Sequence, residues 1–304
     1  MEPMTLHILG CGSAKPSNHH LPSCQVLNIK GKLYMIDCGE GSQMQWSSMG
    51  LGMSRLGHIF ITHSHGDHCF GLPGLISTMG LLGRTADLHI HAPEDLRPFI
   101  DCTLQHFCEG MDYQVYFHAV DTTKHQLVHE DRSMEVWSLP LNHRVPCCGF
   151  LLQEKPTLPH IRPEMLQAFN IPTSQINNIK AGADWVEEDG TVIPNSRLTT
   201  PADAPRSFAY CSDTLFTPRL AEWVKGVNLL YHESTFNEEN LLRAKQTCHS
   251  TASQAATIAR EAGVKQLCIG HYSGRIKDEN ALLQEAQAVF PNTVLGKEKM
   301  IIEI

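Results

Sequence analysis

Short apolar, β-branched runs alternate along the chain with longer segments in which apolar residues recur at helical spacing. The runs predict strands at Leu6–Leu9, Cys24–Ile29, Leu33–Ile36, His58–Ile61, Leu88–His91, Val115–Ala119 and Met134–Leu139. Further strands are predicted at Gly149–Leu152, Ser207–Tyr210, Leu229–Tyr231, Gln266–Ile269 and Met300–Ile304. The helical segments are Gly41–Met49, Gly71–Leu82, Glu94–Cys108, Pro218–Val224, Glu238–Lys245, Thr251–Ala262 and Asp278–Phe290. Ser250 is the expected N-cap of the helix at Thr251, and Gly263 its expected C-terminal stop. Strands come first and in pairs in the N-terminal half and alternate with helices later. That order predicts an α/β fold of sheets covered by helices.

The stretch from Gln153 to Thr200 breaks the pattern, being rich in Pro, Asn, Thr and Gly. It predicts one short helix, Arg162–Phe169, and a hairpin around Glu188-Asp189-Gly190-Thr191. An insertion this long between core strands is either disordered or functional. It carries four Lys and Arg against six Asp and Glu, so it is about −2 and not basic. The longest nearly apolar stretch, Gly71–Gly83, is thirteen residues, too short to cross a bilayer as a helix. The first residues carry neither a basic nor an apolar signal region, so the expected location is the cytoplasm.

Composition and charge add three points. The eleven cysteines are odd in number, form no C-x-x-C and mostly sit inside apolar runs, which reads as small core side chains in a reducing compartment. Histidine is over-represented, 18 of 304 residues, which makes metal binding worth testing. The net charge of −8 does not advertise a nucleic-acid binder, so a polyanionic substrate would need a local basic patch.

The densest chemistry is His63-Ser64-His65-Gly66-Asp67-His68, directly after the apolar run Ile59-Phe60-Ile61. Imidazole and carboxylate suit zinc and related divalent ions. Other polar groups also follow apolar runs at once: His143, Asp213, His232 with Glu233, and His271. Each alone is more often a loop residue than a ligand. Together they supply two metals: His63, His65 and His143 for the first, Asp67, His68 and His271 for the second, with Asp213 bridging. Two ions about 3.5–4 Å apart polarise a phosphoryl oxygen and generate hydroxide near neutral pH, which is hydrolytic chemistry. Asp37, also after a strand, is expected beneath the site, hydrogen-bonding a metal-bound histidine.

These residues resemble the metallo-β-lactamase superfamily. More narrowly the chain resembles the short-form ribonuclease Z family over nearly its whole length. The resemblance includes Leu9-Gly10-x-Gly12, Ile36-Asp37-Cys38-Gly39-Glu40-Gly41-x-Gln43, Gly71-Leu72-Pro73-Gly74-Leu75, His232-Glu233-x-Thr235, His249-Ser250-Thr251 and His271-x-Ser273. It implies one metallo-β-lactamase-like αββα four-layer domain over residues 1–304, with residues 153–200 as a protruding tRNA-binding arm. It implies two zinc ions per subunit, with Mn or Fe as possible substitutes. The implied reaction is hydrolysis of the phosphodiester 3′ of the discriminator nucleotide in a tRNA precursor. By the family pattern Asp67 ligates metal and orients or deprotonates the water. His249, backed by Glu233, protonates the leaving 3′-oxygen. On the residues alone, His249 reads first as a residue at a helix start and Glu233 as a loop carboxylate. The resemblance also implies a homodimer; the apolar helix Gly71–Leu82 reads equally as core or interface.

Two positions depart from the family pattern. His20 and Leu21 stand where many members carry an Arg-Asn pair, and the stretch before Lys180-Ala181-Gly182 lacks a Gly-Pro pair. A phosphodiesterase acting on small phosphodiesters or cyclic nucleotides is the alternative reading. A non-catalytic, metal-stabilised RNA-binding protein is a third.

Overall fold

The computed structural model describes residues 3–304, which form two compact units. The first comprises the chain through Asp131 with Glu135–Gln153 and Arg206–Ile304. The second comprises Arg132–Met134 and Glu154–Pro205.

The first sheet of the larger unit runs β1 (Thr5–Gly10), β2 (Cys24–Ile29), β3 (Lys32–Ile36), β4 (Leu56–Phe60), β5 (Leu88–Ala92) and β6 (Val115–Ala119) in spatial order, with β18 (Ile301–Glu303) beside β1. Strands β3 to β6 are parallel, so their C-terminal ends share one edge. The second sheet contains β7 (Leu127–Glu130), β8 (Met134–Pro140) and β9 (Cys148–Glu154). It continues, after four two-residue strands of the smaller unit, with β14 (Ser207–Cys211), β15 (Leu229–Glu233), β16 (Gln266–Gly270) and β17 (Thr293–Leu295), in the order β17-β16-β15-β14-β9-β8-β7. Here β14 to β17 are parallel.

Alternation along the strands sorts the side chains. Val26, Leu33, Met35, Ile59, Leu88 and Ile90 join one core cluster with α1 (Ser42–Ser48), α3 (Leu72–Leu81) and α4 (Arg97–Phe107). The intervening Phe60 meets Phe150 of the second sheet, ring centroids 5.3 Å apart. On the far side, α10 (Ala252–Ala262) packs on β15 and β16, and α11 (Glu279–Val289) on β17. The layers are therefore helix, sheet, sheet, helix, the expected αββα order. Nine of the eleven cysteines are buried, consistent with their use as small core side chains.

The strand boundaries mostly agree with the periodicity, and the differences are local. In the larger unit two short strands, β7 and β17, go unpredicted, and in the smaller unit so do the strands His160–Ile161 and Thr199–Thr200. Ser250 does not cap α10. Thr251 does, accepting from the Gln254 amide while the Gln254 side chain accepts from the Thr251 amide, a capping box. Gly263 ends that helix in the left-handed conformation, φ 62°. The segment from Glu94 opens as a 3₁₀ turn before α4, and α8 (Leu220–Trp223) is shorter than predicted. The histidine motif contains one helical turn, α2 (Gly66–Cys69). Helix α3 buries Leu72, Leu75, Ile76 and Met79 but leaves Leu81 and Leu82 exposed.

The smaller unit pairs β10 (His160–Ile161) with β13 (Thr199–Thr200) and β11 (Trp185–Val186) with β12 (Val192–Ile193). The second pair closes the hairpin around Gly190, whose φ is 87°. Helices α5 (Pro163–Ala168), α6 (Ile176–Lys180) and α7 (Asn195–Leu198) complete it. Ile171, Ile179, Ile193 and Leu198 form its small core, flanked by Phe169 and Trp185. Asn195 stitches it together, its side-chain amide donating to the carbonyls of Ile179 and Ala183.

Candidate metal centre and active site

The parallel strands deliver chemistry to one edge, where their C-terminal ends and following loops meet. After β4 come His63 and His65, and α2 places Asp67 and His68 on its single turn. After β8 comes His143, after β14 Asp213, and after β16 His271. Asp37 and His271 hold left-handed backbone, φ 57° and 63°. Non-glycine residues pay for that conformation and retain it where the surrounding structure imposes it. Gly39 lets two loops meet: a Cβ there would lie 2.5 Å from the Asp67 carbonyl oxygen.

Two groups of ligand atoms result. His63, His65, His143 and Asp213 form one, and Asp67, His68 and His271 the other. In the first, His63 Nε2 lies 3.0 Å and His143 Nε2 3.3 Å from His65 Nδ1. Asp213 faces both groups with different oxygens. Its Oδ2 is 3.6 Å from His63 Nε2 and 3.7 Å from His143 Nε2. Its Oδ1 is 3.5 Å from His68 Nε2 and 3.1 Å from His271 Nε2. Asp67 Oδ2 lies 3.6 Å from each of those same nitrogens and accepts from the Ala14 amide at 2.6 Å.

The fit to metal rests on the tautomers these partners impose. Asp37 is fully buried and accepts from His68 Nδ1 at 2.7 Å, leaving Nε2 free toward Asp67 and Asp213. Thr62 Oγ1 donates to Asp37, so it accepts from His63 Nδ1 at 3.0 Å. Thr235 Oγ1 donates to Glu233 Oε2 at 2.7 Å, so it accepts from His271 Nδ1 at 2.9 Å. His143 Nδ1 donates to the Cys248 carbonyl at 2.9 Å. Each of these four imidazoles thus turns its Nε2 lone pair inward. His68 Nε2 and His271 Nε2 are buried and have no hydrogen-bond partner, an arrangement a cation resolves.

Electrostatics point the same way. Burial keeps His63, His65 and His143 below the usual imidazole range, hence neutral, the state that ligates. Burial opposes a charge on His68, but Asp37, Asp213 and Asp67 outweigh it and push its pKa up to about 10. That surplus of negative charge favours a cation at this position.

Beside the ligands stands a second pair. His249 Nδ1 lies 3.0 Å from Glu233 Oε1 and 3.9 Å from Asp213 Oδ2. The buried Glu233 also accepts from the amides of Thr214, Thr235 and Ser250. Burial opposes protonation of His249, but the Glu233 carboxylate and Asp213 outweigh it and raise its pKa to about 9. His232 stands apart: it is buried in β15, its Nδ1 bonds the Glu233 carbonyl, and it belongs to neither group.

Above these groups opens a cavity of about 420 Å³, lined by Asp67, Asp213 and His249 and by three arginines, Arg144, Arg243 and Arg275. Sequence reasoning singled out none of these arginines, nor Thr62. Thr235 stood within a recognised motif, but its role becomes visible only where β15 and β16 meet. The arginines are scattered singly, so no charge run marks them.

Comparison with known proteins adds ancestry. A family model described as anti-Pycsar protein Apyc1 matches residues 4–158. Ribonuclease Z of Bacteroides fragilis is 56% identical over 304 residues, the whole of both chains. Ribonuclease Z of Porphyromonas gingivalis is 53% identical over the same span, again covering both chains completely. Among solved structures, the short form of human tRNase Z superposes with a TM-score of 0.70 at 25% identity, covering 98% of each chain. The metallo-β-lactamase fold protein YhfI of Bacillus subtilis gives a TM-score of 0.70 at 17% identity, covering both chains fully, and shows the fold alone. Residues 4–158 thus fall within the family of that model, and the chain as a whole, at more than half identity over its full length, belongs to the ribonuclease Z family of endoribonucleases.

Proposed function

We propose that this ribonuclease hydrolyses the phosphodiester 3′ of the discriminator nucleotide in tRNA precursors, leaving a 3′-hydroxyl on the tRNA and a 5′-phosphate on the trailer. The observation that carries the mechanism is Asp213 facing two ligand groups with separate oxygens while the Glu233–His249 pair stands beside it.

His63, His65 and His143 would hold one divalent ion and Asp67, His68 and His271 the other, with Asp213 shared. Zinc suits this mixed imidazole and carboxylate set, and Mn or Fe can replace it. When bound, the ions supply Lewis acidity toward a phosphoryl oxygen and make water more acidic. The chain's own groups do the rest. Asp67, anchored by the Ala14 amide, orients the attacking water and accepts its proton. Water attacks phosphorus and the bond to the 3′-oxygen breaks. His249 donates a proton to that oxygen, and Glu233 keeps the ring charged until then. Arg144, Arg243 and Arg275 offer the local basic lining that a chain of net charge −8 needs for phosphates.

The unit at 154–205 is proposed as the tRNA-gripping arm. We also propose a homodimer, supported by the exposed apolar residues Leu81 and Phe107, which line one surface cleft, and by Leu82, Phe70 and Met44. We propose a cytoplasmic location, which a tRNA-processing role supports.

The test is end-mapped cleavage of a 3′-extended tRNA precursor by the zinc-loaded protein, with Asp67→Ala as control. A single cut after the discriminator, absent in the variant, is expected. Deleting residues 155–198 should abolish that cut while sparing hydrolysis of a small phosphodiester. Equal loss or equal retention of both would defeat the arm proposal. A protein that cleaves only the small diester would instead be a small-molecule phosphodiesterase.

A further inference from the structure

Five histidines the mechanism does not use gather between the two sheets. His58 of β4, His89 and His91 of β5 and His118 of β6 share a strand face with Phe60, the face turned toward the second sheet. His129 of β7 reaches them from that second sheet. The His58 and His129 ring centroids are 3.9 Å apart, and those of His58 and His91 5.4 Å. His58, His91 and His129 each offer one nitrogen, and these three nitrogens lie within 4.8 Å of one another.

We propose that His58, His91 and His129 form a second transition-metal site, separate from the catalytic groups, which takes one zinc-like divalent ion and clamps the first sheet to the second.

Three observations carry it. The first is distance. His58 Nδ1 lies 3.2 Å from His91 Nε2. Two nitrogens bound tetrahedrally at zinc distances stand about 3.3 Å apart. The catalytic histidines show the same spacing, 3.0 and 3.3 Å. The second is unsatisfied capacity. The buried His129 Nε2 has no hydrogen-bond partner. A purely structural ring there would leave that atom desolvated at a cost that an apolar side chain avoids. The third is protonation. Burial first, and then the neighbouring histidines, push His58 down to about 3 and His91 to about 2. The rings therefore stay neutral near pH 7 and keep lone pairs for a metal.

The donor set selects the ion. Imidazole nitrogens without carboxylate ligands suit Zn, Cu or Ni and not Mg or Ca. The cluster also grades outward. His91 is buried, His58, His89 and His129 are half-buried, and His118 is exposed, its Nε2 2.9 Å from His89 Nδ1. That gradient is a route for the ion from solvent.

The experiment is zinc binding by the full chain, read in two ways. Crystals of the wild-type protein at saturating zinc are measured at the zinc absorption edge. An anomalous peak among His58, His91 and His129, besides any at the catalytic groups, is expected. In solution, equilibrium dialysis should give one zinc fewer per chain for His129→Gln than for wild type, with Mg²⁺ unable to compete. Wild type and His129→Gln binding equal zinc, or a saturated crystal without a peak at the trio, would overturn the proposal. Should His129→Gln fail to fold, the wild-type anomalous map alone decides. Neither readout depends on RNA cleavage, so failure here and failure of the proposed function are distinguishable.

Discussion

At the residue scale, two threonines tie carboxylates to histidines in the same way. Asp37 reaches His63 through Thr62, and Glu233 reaches His271 through Thr235. Each hydroxyl donates to the carboxylate and accepts from the ring, fixing which nitrogen faces inward. Thr235→Val keeps the shape and removes the relay. Its zinc affinity should fall by about 10- to 100-fold, while Thr235→Ser should retain most of it, as measured by competition with a chelator. A merely steric role would make serine the worse substitute. The pair His249 and Glu233 should behave as one unit. His249→Gln and Glu233→Gln should each slow turnover strongly, and the double variant should be little slower than the worse single one. Additive losses would mean that the two act separately. The ligands were legible in the sequence because His63, His65, Asp67 and His68 crowd into six positions and the rest follow apolar runs. The threonines were not. Thr62 and Asp37 lie 25 residues apart and meet only when β3 and β4 pair. The five inter-sheet histidines were visible only as an excess in composition, because only His89 and His91 are close in sequence, within a strand pattern, and β7 was itself missed.

At the scale of elements, the site depends on how segments begin and end. His249 leads into Thr251, whose capping box starts α10. The signal was present as Thr-x-x-Gln, one residue beyond the expected Ser250. Ser250 has another duty, its hydroxyl donating to the Thr214 carbonyl at 2.7 Å. Thr251→Ala should therefore cost about 1 kcal/mol. In a chain of this length that is a lowering of Tm by about 2 °C in a thermal melt. Turnover should change little, because Ser250 and Glu233 still hold the His249 loop. A large drop in turnover with an unchanged Tm would show that the cap positions His249 more than it stabilises α10. The missed strands have a physical explanation. Strand β17 has three residues, and β7 is an edge strand of Leu-Val-His-Glu without clean alternation. Both are created by their neighbours rather than by their own pattern.

At the scale of the molecule, the first and last strands are bound together. Strand β1 pairs with β18, and the loop after β1 is held by His20. The ring bonds Glu298 through Nδ1 at 3.0 Å and Glu279 through Nε2 at 2.5 Å. The Leu21 amide also donates to Glu298. The tether is therefore a titratable cation held between two carboxylates. The hydrogen bond to Glu298 leads burial in setting the balance, and with Glu279 it raises the His20 pKa to about 9. An unfolded histidine titrates near about 6.5. The folded state thus holds its proton more tightly, and this tether stabilises fully below the unfolded value. Its contribution declines as pH rises toward about 9 and is lost above it. The His249 pKa is raised in the same direction, so a single pH profile of the wild type would mix the two. The difference between wild type and His20→Gln isolates the tether. The Tm gap between them should be greatest near pH 6 and shrink progressively toward pH 9.5. A gap that stays constant across that range would mean that His20 acts by packing against Tyr272, whose ring centroid lies 5.4 Å away, and not by its charge.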